Sequence, residues 1–159
     1  MRESGGLSAM IRGLEMDILT NIVAAEEDEL EAVAASSRPL AEWSGVERPG
    51  IDTRMIAELH SLLTGEELDL ALDSYEPVYV ADEGAVVLRL AESAIERLAN
   101  LEDEDIEPIA EELAAIEEFE LEGWDASAAY DWLAELADLA RLAQAQEQVV
   151  FIWMQRSMG

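Results

Sequence analysis

The sequence predicts a single α+β domain: a small mixed or antiparallel sheet of about three to five strands, packed by about five to six helices. Three observations point there. The chain has 159 residues, the size of one domain, and a domain of that size buries roughly 68–70% of its unfolded surface. Stretches with apolar residues three and four apart alternate with short β-branched runs. The longest helical pattern, at 126–146, leads directly into the strongly apolar "QVVFIWMQ" at 148–155.

The elements follow in order. Residues 1–9, with "SGG", read as a flexible tail, and the domain runs from 10 to 159. "MDILTNIV" (16–23) mixes Ile, Leu, Thr and Val and reads as a strand, its rival being one long helix running on to 35. Helix holds from about Glu26 to Ala35, with acids in its first turn, where they favour the dipole. "SSRPLAEWSGVERPG" (36–50) has two Pro and two Gly and reads as a loop with one helical turn at "LAEW". In "IDTRMIAELHSLLTG" (51–65), Asp52 or Thr53 can cap a helix. Ile56, Leu59, Leu62 and Leu63 give that helix one apolar face, and Gly65 suits a left-handed end. His60 lies on or beside this face, so it reads as a packed core or boundary residue.

Residues 65–84 read as a turn, a short helix and a loop, with "PVYVA" as a short strand. "AVVLRL" (85–90) is a stronger strand, and a helix follows at about 91–100. "LEDEDIEPIAEELAAIEEF" (101–119) reads as one helix broken by "ELEGWD" (120–125). Its Pro108 is placed in the first turn, where a missing N–H is harmless. The 126–146 helix turns Tyr130, Leu133, Leu136, Ala137, Ala140 and Ala143 inward. The strand at 148–155 is apolar enough for burial on both faces.

The chain carries 9 basic residues, all arginine, against 37 acidic ones, for a net charge of −28. Such a field repels nucleic acid and anionic membranes and attracts cations and basic proteins. A GC-rich genome or a salt-rich cytoplasm also produces this bias. With no cysteine, thiol catalysis, thiolate metal sites and disulfides are excluded. Neither a signal peptide nor an 18-residue apolar span is visible, so a cytoplasmic location is expected.

A hydrolytic triad would have to rest on the one histidine, and no "GxSxG" elbow is present. Phosphate-binding "GxxxxGK" and "GxGxxG" loops are missing. "DEDIE" (103–107) lacks the glycine and terminal Glu of a calcium loop and reads as a helix start. No cofactor and no metal site is expected. Paired carboxylates in a cleft stay open as an alternative, because sequence spacing does not reveal a cleft.

Glu111, Glu112, Glu117, Glu118 and Glu120 form an acidic stripe near Trp124. Beside an aromatic ring such a stripe suits an Arg- or Lys-rich partner. Trp43, Trp132 and Trp153 read as core or boundary residues. The expected function is therefore a non-enzymatic binding protein that docks a basic protein, with an immunity protein against a toxin as its concrete form. An inhibitor that mimics DNA and a carboxylate hydrolase are the alternatives.

"LHSLLTG" (59–65) resembles the "LHxLLTG" stretch of the YfbM-like family of uncharacterised bacterial proteins. "VLRLAESAIERLA" (87–99), "GWD" (123–125) and "VVFIWM" (149–154) are similar to its later features. The resemblance covers roughly residues 50–155, and more weakly 14–35. It departs at Ile56, where the family often has Trp, and at Ala91-Glu92, where the family's Ser/Thr-Pro is replaced and the helix cap is poor. The resemblance implies an α+β domain of unknown function and supplies no catalytic residues.

Overall fold

Alternating apolar residues let one sheet bury both of its faces. In the computed structural model, which describes residues 18–82 and 84–156, strands β1 (Ile18–Ala25), β2 (Gly45–Pro49), β3 (Tyr79–Val80), β4 (Val86–Arg89) and β5 (Val149–Arg156) form it. Their order is β2-β1-β5-β4-β3, and every neighbouring pair is antiparallel. The register sets Ile22 opposite Val46 and Ile152, and Leu88 opposite Ile152. These residues, with Ala24, Val150 and Met154, enter the main core. Their neighbours Val23, Ala25, Val87, Phe151 and Trp153 enter a second, smaller core on the opposite face. Central β5 is therefore buried on both faces, as its composition predicts.

Seven α-helices lie among the described residues. The first, α1 (Leu30–Ala35), covers the second face with Val33 and Ala34, helped by Trp43. The main core takes residues from α2 (Thr53–Thr64), α3 (Leu68–Asp73), α4 (Glu92–Ala99), α5 (Asp103–Ala115), α6 (Glu117–Leu121) and α7 (Ala126–Ala145). Trp132 and Leu133 of α7, Phe119 of α6 and Leu113 of α5 are all fully buried there. Each such side chain contributes roughly 1.5–3 kcal/mol of transfer free energy. The expected tail at 1–9, and the start of the domain at 10, lie outside the described residues.

Local signals set the helix ends. The Asp52 carboxylate accepts a hydrogen bond from Met55 N–H at 2.9 Å, and Gly65 ends α2 with φ 80°. Glu102 and Asp105 make a reciprocal capping box at the start of α5, so "DEDIE" opens a helix as read. Pro108 needs correcting: it is the sixth residue of α5, beyond the first turn. The missing N–H leaves the Glu104 carbonyl without its helical donor, on a side of α5 where both residues are exposed.

Two other readings are overturned. Residues 36–50 are not only a loop, because Gly45–Pro49 form edge strand β2. A Cβ at Gly45 would lie 2.2 Å from the Ile22 carbonyl oxygen, which accounts for a glycine in the pairing. Pro49 is tolerated because the strand lies at an edge. The 101–119 stretch is not one helix, because the chain leaves helical geometry at Ile116, where ψ is 134°. Ile106, Ala110 and Leu113 share the buried stripe of α5. Continued without a break, that stripe would next bury Glu117. The break exposes Glu117 and sends Phe119 into the core instead.

Candidate functional site

The acidic stripe divides between surface and interior. Glu111 and Glu112 on α5, and Glu117 and Glu120 on α6, are exposed, because Leu113 and Phe119 fill the inward positions beside them. Glu118 turns inward, with 30% of its side chain exposed, and meets Arg54 of α2. Trp124 is half-buried. Its ring stands edge-on to Phe119, with centroids 5.4 Å apart, and to Trp132 at 5.2 Å. The structure thus leaves four of these six residues exposed and two partly buried. Glu118 and Trp124 serve mainly to anchor α6 and the connection after it.

The surrounding field is strongly negative. Between Arg97 and Arg141 the chain has fifteen acidic residues and no basic one. Several arginines are engaged within the fold. Arg48 pairs with Glu135 and also caps the Glu47 carbonyl at 2.8 Å, which closes part of the β2 edge. Arg89 meets Glu27 at 2.6 Å. Arg141 holds the carbonyls of Ala99 and Leu101 in the α4–α5 turn, and pairs with Asp138 at 3.1 Å. Guanidinium groups used this way neutralise little of the α5–α6 face.

Inside the molecule, α2 carries two buried polar residues of opposite character. His60 is 2% exposed. Its Nδ1 lies 2.9 Å from the Tyr75 hydroxyl, and its Nε2 lies 3.0 Å from Glu66 Oε1. The same hydroxyl accepts the Ala91 N–H at 3.2 Å. One arrangement of hydrogens satisfies every group: Tyr75 donates to Nδ1, and Nε2–H donates to the Glu66 carboxylate. Burial, offset in part by the Ala91 bond, pushes the Tyr75 hydroxyl up to about 12, so it stays protonated. Ala91 has no side chain to cap α4, and the Tyr75 hydroxyl takes up its N–H from across the fold. His60 is buried, as its place on the apolar face predicts, and its two ring hydrogen bonds make it a structural tie.

Glu58, two residues away, is 7% exposed, and its Oε1 is buried with no hydrogen-bond donor on it among the described residues. Arg54 Nε lies 3.6 Å from Glu58 Oε2 and 3.3 Å from Glu118 Oε2. Burial, followed by the hydrogen bond and charge of Glu118, pushes the Glu58 carboxyl up to about 8, although Arg54 acts the other way. Glu118 is held below the usual carboxylate range, chiefly by its hydrogen bond with Glu58. At neutral pH, then, Glu58 carries the proton and donates it towards a charged Glu118. Sequence reasoning missed this pair. The one available signal was an acid at position 58, within "MIAELH" (55–60), a run in which every residue is buried.

A cleft of about 330 Å³ opens beside the start of α2, lined by Asp52, Thr53 and Arg54 together with Ile18, Val86 and Met154. Neither carboxylate of the pair lines it. Among the described residues, no three His, Asp or Glu side chains converge as metal ligands, and no helix is long and apolar enough to cross a membrane. Compared with known protein families, curated proteins and solved structures, the chain matches none.

Proposed function

We propose that this chain is a non-enzymatic binding protein that docks a basic protein partner on the outer face of α5 and α6. The observation that carries this reading is the stretch between Arg97 and Arg141, which holds no basic residue and leaves Glu111, Glu112, Glu117 and Glu120 exposed. Complementary fields of this kind speed encounter and reject like-charged competitors. An immunity protein that covers the basic active site of a toxin is the concrete form. A cytoplasmic setting and kinship with the YfbM-like family belong to the same reading.

Capture on an immobilised arginine-rich peptide tests it, at roughly 20 mM and then about 0.5 M salt, since exposed charges are screened at the higher value. A variant with Glu111→Gln, Glu112→Gln, Glu117→Gln and Glu120→Gln is expected to lose most low-salt capture. A control with Glu31→Gln, Asp69→Asn, Asp73→Asn and Glu76→Gln, of equal net charge, is expected to retain it. Equal losses in the two would mean that total charge, and not this face, does the binding. Displacement of captured partner by DNA would favour the narrower form in which the face imitates phosphates.

A hydrolase built on paired carboxylates is the second reading. The opposite displacements of Glu58 and Glu118 favour it, since such pairs divide acid and base roles. The burial of Glu58 away from the cleft weighs against it.

A further inference from the structure

We propose that Arg54, Glu58 and Glu118 form a proton-operated latch that fastens α6 to α2, closed while a proton bridges the two carboxyl groups and open once it leaves. The geometry has three parts. Glu58 projects from the buried middle of α2, and its Oε1 meets no hydrogen-bond donor among the described residues. Glu118, on α6, acts on it through a hydrogen bond and its charge. One guanidinium nitrogen, Arg54 Nε, lies within 3.6 Å of both carboxyl groups and serves as their common cation. With the proton in place, the trio holds one positive and one negative charge plus a neutral acid that donates to its neighbour. Loss of the proton to hydroxide forms water and leaves two carboxylates on one cation, one of them buried. Removing Glu118 to solvent is the short way to relieve that.

Among the described residues, the charged groups that act on Glu58 are Glu118 from α6, Arg54 from α2 and Asp52 at the N-cap of α2. The other helices around α2 present core residues to the shared cluster, among them Ala71 of α3, Leu98 of α4 and Leu113 of α5. Of the two helices joined by the latch, α6 is the one able to move. It has five residues, one of them, Phe119, fully buried, and a helix that short has no stability of its own. It is bounded by extended Ile116 and by Gly123, where φ is 85°. By contrast, α2 has twelve residues and buries 55–60 without interruption. The Glu58 carboxyl, pushed up to about 8, places the opening in mildly alkaline solution.

Amide hydrogen exchange on the intact chain from pH 6 to 9.5, corrected for the intrinsic pH dependence of exchange, tests the latch. Protection over residues 117–123 is expected to fall by about tenfold or more around pH 8, while α4 stays within about twofold, the pattern of a local opening. Glu58→Gln, which keeps a donor but has no proton to lose, is expected to hold 117–123 protected throughout. Glu118→Gln removes the charge that opposes ionisation of Glu58, and is expected to move the wild-type midpoint to lower pH. A wild-type profile without a step near pH 8 overturns the latch. So does a Glu58→Gln profile that follows the wild type. If Glu58→Gln does not fold, the wild-type step and its displacement in Glu118→Gln decide the matter, and a midpoint that stays in place overturns the proposal.

Discussion

His60 and Glu58 lie on the same helix, two residues apart and similarly buried, yet they are opposite solutions to one problem. The imidazole has a partner for each nitrogen, supplied by Tyr75 and Glu66 from beyond α2. The carboxyl group has a half-exposed arginine and another acid, and among the described residues one of its oxygens meets no donor. Burying a polar group is nearly neutral when partners are supplied and costly when they are not. Depth alone therefore does not tell whether a buried polar side chain stabilises a fold.

The largest effect is expected at the hub of the satisfied cluster. Tyr75→Phe removes a hydroxyl that serves both His60 Nδ1 and the Ala91 N–H. Urea unfolding is expected to lose about 2–3 kcal/mol, from two groups left without a partner. His60→Leu comes next, at about 1–2 kcal/mol, because it leaves the Tyr75 O–H without its acceptor while the Ala91 bond persists. His60→Gln, which can keep part of the bonding, is expected to cost less than either. A loss from His60→Gln larger than that from Tyr75→Phe would break the view of His60 as a tie.

The matching change at the other residue is expected to have the opposite sign. Glu58 ionises less readily in the fold, at about 8 against a usual 4.5. Its contribution is therefore fully present below pH 4.5 and is lost as pH rises through 8. Glu58→Leu removes that loss, so the variant is expected to unfold at higher temperature than wild type at pH 9. The advantage is expected to shrink towards pH 5. A melting temperature lowered at pH 9 would mean that Glu58 stabilises the fold after all. The smallest effect is expected on the outer face, where Glu111→Gln with Glu120→Gln changes stability by less than about 0.5 kcal/mol.

Periodic segments were legible. The α2 and α7 patterns, the β-branched run of β4 and the apolar run of β5 each repeat one local signal, and the structure places each within a residue or two. Short segments with mixed signals were not. Gly45–Pro49 reads as a turn because its glycine answers a close approach by Ile22, and its proline depends on the strand lying at an edge. The break at Ile116 could have been inferred, since an unbroken stripe from Ile106 would bury Glu117. At the site, exposure of Glu111, Glu112, Glu117 and Glu120 follows from their apolar neighbours. The inward turn of Glu118 and the packing of Trp124 depend on residues distant in the chain.

Charge, the lack of thiol chemistry, the position of the long helix and the two-faced burial of β5 were determined by the sequence alone, because each depends on residue type or on spacing within a single element. Tertiary structure alone decided which acid took up a proton and that the one imidazole became a tie. Those outcomes depend on partners brought from Tyr75, Glu66 and Glu118, and the protonation of a buried group follows its neighbours in space.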